Sequence, residues 1–349
     1  MSAKRSNLPA VIEATAPVKA KSLRSTLAVP AVIAGAGDHA ARRFIEFFAA
    51  TIRNKNTRMA YYRAACHFFG WVEQHEIGEF ADIEPIHVAA YIEVLQVTAA
   101  KPTVKLHLAA IRMLFDWLIT GQVLAVNPAH AVRGPKHVVR RGKTPVLTED
   151  QARRVLGSIK VVRKVTLPDG AETEEPWLVG LRDRALMAVM TYTFARIGAV
   201  VGMRVDDYYP GGKRWWVRLH EKGGKRHEMP AHHKLEQFLD EYLAAAGIRE
   251  DGKTPLFRSA AGKTGVLTDK PMNRVDAYRM VRRRRAEAGF KIKLGCHVFR
   301  ATGITAYLEA GGTLENAQAM AAHESPRTTK LYDRTGDQIT LDEVERITI

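Results

Sequence analysis

Cysteine is nearly missing from this chain: Cys66 and Cys296 are the only two in 349 residues, and they lie far apart. A disulfide scaffold is excluded, as is a four-cysteine zinc or iron–sulfur site. Long apolar runs are missing too. A bilayer span needs about 20 consecutive apolar residues. The candidate Ser25 to Gly37 is too short and is broken by Pro30. The residues before it carry Lys4, Arg5, Glu13, Lys19, Lys21 and Arg24, a lead too long for a signal peptide. No membrane partner is expected, and the cytoplasm, at the nucleoid, is the expected location. A phosphate-binding G-x-x-x-x-G-K-[ST] loop is absent, which excludes an ATP-driven nucleic-acid motor of that type. Acid is scarce relative to base. Lys and Arg number 53 against 37 Asp and Glu, a net charge of +16. Such an excess attracts polyanions: nucleic acid, an acidic membrane surface or acidic protein.

What is present reads as mainly α. Hydrophobic residues make up 46 %, ample for buried cores. Residues 1–37 are rich in Ala, Ser, Lys and Pro without periodicity and read as a flexible tail. From Asp38 the pattern turns helical. Met59, Tyr62, Cys66 and Phe69 recur at spacings of three and four, with Asn56 or Thr57 as cap. After Pro102, the residues Val104, Leu108, Ile111, Phe115 and Leu118 form a continuous stripe. Residues 38–132 therefore read as an all-helical bundle. Residues 133–146 follow as a basic linker holding Arg133, Lys136, Arg140, Arg141 and Lys143, with no acid between Arg133 and Lys143. Residues 147–349 form a second, mostly helical domain. Thr148 and Gln151 make a capping box for its first helix. Residues 161–178 read as a loop or hairpin excursion. Trp215 to Leu219, the Gly223-Gly224 turn and Arg226 to Met229 make one small antiparallel sheet.

Six polar residues of this second domain each have an ordinary structural explanation when taken singly. Arg196 lies at a helix junction, Lys222 at the hairpin tip, and His297 and Arg300 three apart on one helix face. His323 follows, then Tyr332. Their order and spacing resemble the tyrosine recombinase family of the phage-integrase type, which are site-specific DNA recombinases. Lys222-Gly-Gly-Lys-Arg-His-Glu-Met-Pro230 resembles the family's β-hairpin. Cys296-His-Val-Phe-Arg-Ala-Thr-Gly-Ile-Thr305 resembles its His-x-x-Arg helix, and Ala321-Ala-His-Glu-Ser-Pro-Arg-Thr-Thr-Lys-Leu-Tyr332 its closing box. The resemblance spans about residues 40–335. It implies that the first bundle is a SAM-like core-binding domain and the second the catalytic domain. Two positions depart. The family often carries Glu-Leu three and four residues after the first Arg, where this chain has Ala199 and Val200. The family's Arg-His-Thr is here Arg300-Ala301-Thr302.

Breaking a DNA strand without metal requires a nucleophile, charge compensation at phosphorus and a proton for the leaving oxygen. Tyr332 supplies a phenol oxygen. Arg196 and Arg300 would clamp the non-bridging phosphate oxygens. The resemblance implies that His297 accepts the phenol proton, that Lys222 protonates the 5′ oxygen, and that His323 hydrogen-bonds the phosphate. Lys225 stays a local rival for the acid. The expected intermediate is a 3′-phosphotyrosyl link, which needs no cofactor. His227, His232 and His233 lack an acidic partner at metal-ligand spacing, so no metal is expected either. Arg58, Lys105, Arg112, Arg140, Arg141, Lys143, Arg282 and Arg283 are expected to contact DNA. Four consecutive arginines, Arg282 to Arg285, wrap round a helix, so at least one must point inward. The implied partners are double-stranded DNA carrying a specific site and a homotetramer on synapsed DNA, with accessory DNA-bending proteins as an open addition. Leu341 to Ile347 could form a short amphipathic helix, packed on its own domain or exchanged with a neighbour. The same chemistry would also serve a type IB topoisomerase-like relaxing enzyme, and the same fold an inert DNA-binding protein.

Overall fold

The computed structural model describes residues 28–139, 142–221, 223–262, 264–334 and 344–345. The tail's first 27 residues, Arg140, Arg141, Lys222 and nearly all of the C-terminal helix expected from Leu341 lie outside them. The chain divides into two compact units, Met1–Val138 and Val139–Ile349.

The described part of the first unit contains helices and no strand. Its elements are α1 (Ala31–Gly35), α2 (Asp38–Glu46) ending in a π-turn at Phe47–Thr51, α3 (Lys55–Gln74), α4 (Pro85–Thr98) and α5 (Lys101–Thr120). The stripe on α5 is fully used: Val104, Leu108, Ile111, Phe115 and Leu118 are all buried. On α3 the expected stripe is displaced. Asn54, not Asn56 or Thr57, caps the helix, its side chain accepting from the amides of both. The buried face is Ala64, Ala65, Phe68, Phe69 and Val72. Phe68 and Phe69 decide the rotation because their rings fit a core of Phe44, Phe48, Phe80, Phe115 and Tyr91, packed largely edge to face. Val32 and Ile33 of α1 join that core. The folded bundle thus starts ahead of Asp38.

The second unit follows an irregular stretch. The expected capping box forms: Thr148 Oγ1 accepts from Gln151 N, and Gln151 Oε1 from Thr148 N. It opens α6 (Glu149–Gly157). The excursion is a two-stranded hairpin, β1 (Val162–Thr166) and β2 (Glu172–Pro176). Then come α7 (Leu178–Tyr192), α8 (Ile197–Val200), β3 (Tyr208–Gly211), β4 (Arg214–His220) and β5 (Arg226–Pro230), the three strands forming one antiparallel sheet in that order. After α9 (His233–Ala246), strands β6 (Arg258–Ala260) and β7 (Leu267–Pro271) form a hairpin not foreseen from the sequence. The expected single sheet is therefore one of three small ones among the described residues. The domain closes with α10 (Arg274–Glu287), α11 (Cys296–Glu309), α12 (Leu314–Met320) and α13 (Pro326–Lys330).

Helix α7 is buried on nearly every side, the signature of a central helix. Its charged pair is neutralised internally. Asp183 accepts from Arg182 Nε and Nη2 on one oxygen and from Arg284 Nε and Nη2 on the other, with Arg283 Nη2 at 3.2 Å. Arg284 is the inward member of the four-arginine run, 1 % exposed. Where α7 passes α11, a Cβ on Gly303 would sit 2.0 Å from the carbonyl oxygen of Thr191 and 2.9 Å from the Phe194 ring. Only glycine permits that approach.

Candidate active site

The chain leaves α7 through Phe194, a non-glycine residue at φ +56°. This strained conformation aims the Phe194 carbonyl at Arg300 Nη1, which donates to it, while Arg300 Nη2 donates to the Ala321 carbonyl at 2.7 Å. Arg300 thus braces the end of α7 against the turn before His323. It is fully buried, and its Nε has no protein partner. Burial foremost, then nearby Arg196, pushes its pKa down to about 10, so the guanidinium stays charged. Arg300 is expected from the sequence to clamp the non-bridging phosphate oxygens. The structure shows a brace with N–H bonds to spare.

Arg196 caps α8 and points its side chain, about a third exposed, into the same space. Its Nη1 donates to Glu221 Oε2 at 2.7 Å, and its backbone amide donates to Glu221 Oε1 at 3.2 Å. Glu221 is the last described residue before Lys222. The turn beyond has Gly223 at φ +84° and Gly224 at φ +78°, a conformation that suits glycine. Lys225, the rival acid, pairs with Glu324 at 3.5 Å, which brings the hairpin beside His323.

From α11, His297 Nε2 lies 2.6 Å from the Tyr332 hydroxyl. Tyr332 is 7 % exposed. Thr305 Oγ1, two turns along α11, donates to the Tyr332 carbonyl at 2.9 Å and holds its backbone. Gly142 N donates to the Leu331 carbonyl at 2.9 Å, so the end of the linker pins the same segment. His323 Nδ1 is 2.9 Å from Thr329 Oγ1, and the His323 ring lies parallel to the Tyr332 ring with centroids 5.9 Å apart.

Burial dominates the electrostatics of the tyrosine and the two histidines. Burial pushes the Tyr332 phenol above its ordinary pKa, with Arg300 and Arg196 pulling against it. His297 is held below its ordinary value by burial first, then by Arg300 and Arg196. The same causes, joined by His297, push His323 down to about 3. Both imidazoles are therefore neutral at physiological pH, beside a protonated phenol. Among the described residues no group of three His, Cys, Asp or Glu is placed to hold a metal ion. No helix among them is long and apolar enough to cross a membrane.

The structure brings Arg196, His297, Arg300, His323 and Tyr332 together; Lys222 is not among the described residues. The expected DNA contacts divide. Lys105, Lys143 and Arg282 are exposed. Arg283 is half exposed and paired with Asp183 and Glu287. Arg58 Nε and Nη2 donate to the Ile52 carbonyl, and Arg112 Nε and Nη2 to the Ala129 and Val132 carbonyls. Those two arginines latch the bundle's own backbone, a use that sequence spacing did not reveal. Also missed were Glu221, Thr305 and Thr329. Their only sequence signal was proximity to the six marked residues.

A buried phenol hydrogen-bonded to a neutral imidazole and flanked by two guanidiniums is an arrangement suited to attack on a phosphodiester. Residues 166–338 match the phage integrase family model. Tyrosine recombinase XerC of Mycobacterium sp. (strain JLS) is 28 % identical over 288 residues, covering 80 % of this chain and 88 % of that protein. A lambda integrase dimer bound to a COC′ core site shares the fold at TM-score 0.62 and 18 % identity, covering 86 % of this chain and 79 % of that one. A lambda integrase tetramer bound to a Holliday junction does so at TM-score 0.60 and 18 % identity, covering 86 % and 78 %. The phage integrase domain and these likenesses together support a tyrosine recombinase.

Proposed function

We propose that Tyr332 cleaves one DNA strand at a specific site and that the cut end is passed to a partner strand. In the attack the Tyr332 oxygen bonds to the scissile phosphorus while its proton moves to His297 Nε2. The bond from phosphorus to the 5′ oxygen breaks, and that oxygen takes a proton from Lys222. Arg196 and the spare N–H bonds of Arg300 hold the non-bridging oxygens as charge shifts between them. Thr329 Oγ1 donates to His323 Nδ1 in this scheme. That leaves Nε2–H of the neutral ring to bond the phosphate, an assigned tautomer. The product is a 3′-phosphotyrosyl link and a free 5′ hydroxyl, and attack by a second 5′ hydroxyl reverses every step. The bond energy is conserved in the link, so no nucleotide is consumed. The 2.6 Å contact between His297 and Tyr332 is the observation that carries this reading.

Solved relatives sit on DNA as a dimer and, at a Holliday junction, as a tetramer. A tetramer on two synapsed sites fits this chain likewise, with its work at the nucleoid in the cytoplasm. Lys105, Lys143, Arg140, Arg141, Arg282 and Arg283 serve as its grip on the backbone, and DNA-bending proteins would assist synapsis. Phosphate neutralisation by this grip makes binding steeply salt-dependent.

The test uses duplexes carrying a site selected by the protein from a random-sequence pool, nicked near the scissile phosphate to trap the adduct. Wild type forms a covalent protein–DNA species and Tyr332→Phe forms none while still binding. An adduct that persists in Tyr332→Phe places the nucleophile elsewhere. No adduct with wild type sinks the enzyme reading, and relaxation of any supercoiled plasmid by a monomer would replace it with a topoisomerase.

A further inference from the structure

Arg196 carries an ion pair that the reaction scheme leaves unused. The Glu221 side chain is 2 % exposed, so its charge has little water to stabilise it. A buried carboxylate is tolerated when a cation and hydrogen-bond donors satisfy it. Here one residue supplies both: the guanidinium of Arg196 and its own backbone amide. The carboxylate grips Arg196 at its root and at its tip, which restricts every torsion between them. Only Nη1 is consumed, and the side chain keeps about a third of its surface open.

The source of this carboxylate matters. Glu221 sits at the end of the hairpin strand β4, its amide donating to the Lys225 carbonyl at 2.8 Å to close the turn. The next residue is Lys222. Ala199, one helical turn beyond Arg196, is buried and has no polar atom in its side chain. The carboxylate beside Arg196 therefore arrives from the hairpin and not from the helix that Arg196 caps.

We propose that Glu221 is a positioning residue for strand cleavage, fixing the Arg196 guanidinium for the scissile phosphate and tying that arginine to the hairpin that carries Lys222. Movement of the hairpin then moves the phosphate clamp with the leaving-group acid. Glu221 also offsets the mutual repulsion of Arg196 and Arg300 before DNA arrives. The inference rests on the tyrosine-recombinase reading above.

The experiment compares wild type with Glu221→Gln, which keeps the shape and removes the charge. The probe is the nicked duplex already described. Cleavage at saturating protein slows by about tenfold, the difference between a charge-assisted and a neutral hydrogen bond. DNA affinity stays within about twofold, because removing an acid from a basic site does not weaken phosphate attraction. The same substitution in an Arg196→Ala background, followed over long incubation, adds no further loss. Unchanged cleavage in Glu221→Gln overturns the proposal, as does an equal loss in both backgrounds, which would mean Glu221 acts without Arg196. Wild type that forms no adduct at all fails the underlying reading instead.

Discussion

Gly303→Ala is the most demanding test of how this site is built, because two effects of known sign oppose each other. In an exposed helix interior, alanine is better than glycine by about 0.5–1 kcal/mol. At this position the new Cβ would lie 2.0 Å from the Thr191 carbonyl oxygen, where real contacts do not fall below 3.0 Å. Either α11 or the end of α7 must move by the difference, 3.0 − 2.0 = 1.0 Å. The neighbour is backbone, so no flexible side chain can give way. Overpacking of this kind costs about 1–3 kcal/mol, which outweighs the propensity gain. The catalytic effect is larger than the stability effect. Helix α11 carries His297 and Arg300, and Arg300 bonds the Phe194 carbonyl three residues beyond Thr191. A displacement of about 1 Å at a reacting centre can cost on the order of a hundredfold in rate. The expected outcome is adduct formation slowed by about that factor, with the melting temperature lowered and DNA binding retained. A variant that is more stable than wild type and cleaves within threefold of it, about 0.7 kcal/mol by the rate arithmetic, would show that the helices do not cross this closely.

Three further outcomes follow from buried charge. Asp183→Asn leaves Arg182 buried without its counter-ion and Arg284 with Glu287 alone, and should cost about 3–5 kcal/mol in chemical denaturation; a loss below about 1 kcal/mol would mean that the node is not neutralised by Asp183. The pH profile of adduct formation has a defined sign. His297 must be neutral to accept the phenol proton, and its pKa is depressed below 6.5 by burial and by Arg300 and Arg196. The rate should therefore hold as pH falls from neutrality to 6.5 and decline only below it. A midpoint at or above 6.5 would contradict the buried, cation-flanked environment. The two depressed histidines also make folding less favourable as pH falls below 6.5, because the unfolded chain then binds protons that the folded chain refuses.

Much of the helical framework was legible in residue order because it is local. The α5 stripe from Val104 to Leu118, the Thr148–Gln151 capping box and the inward turn of one residue in Arg282 to Arg285 depend on helical periodicity and on groups a few residues apart. The ordered positions of Arg196, His297, Arg300, His323 and Tyr332 were legible as a set only through their resemblance to the tyrosine recombinase pattern, since each of them taken singly has an ordinary structural explanation. The rotation of α3 was not legible. Met59, Tyr62, Cys66 and Phe69 repeat as regularly as the face that is buried, and only the surrounding phenylalanine rings select Phe68.

The sequence by itself determined which groups this protein possesses: a tyrosine, two histidines, two arginines and a hairpin lysine, on a chain rich in positive charge and poor in cysteine. Tertiary structure alone decided how those groups are used. Guanidinium groups carry no mark that separates a phosphate ligand from a backbone latch. Arg58 and Arg112 hold carbonyls of their own bundle, Arg284 neutralises Asp183, Arg300 braces two distant turns, and Arg196 is held by Glu221. Each of these roles depends on which carbonyl or carboxylate another part of the chain brings within about 3 Å, the range over which a hydrogen bond forms. No periodicity in the sequence reports that meeting.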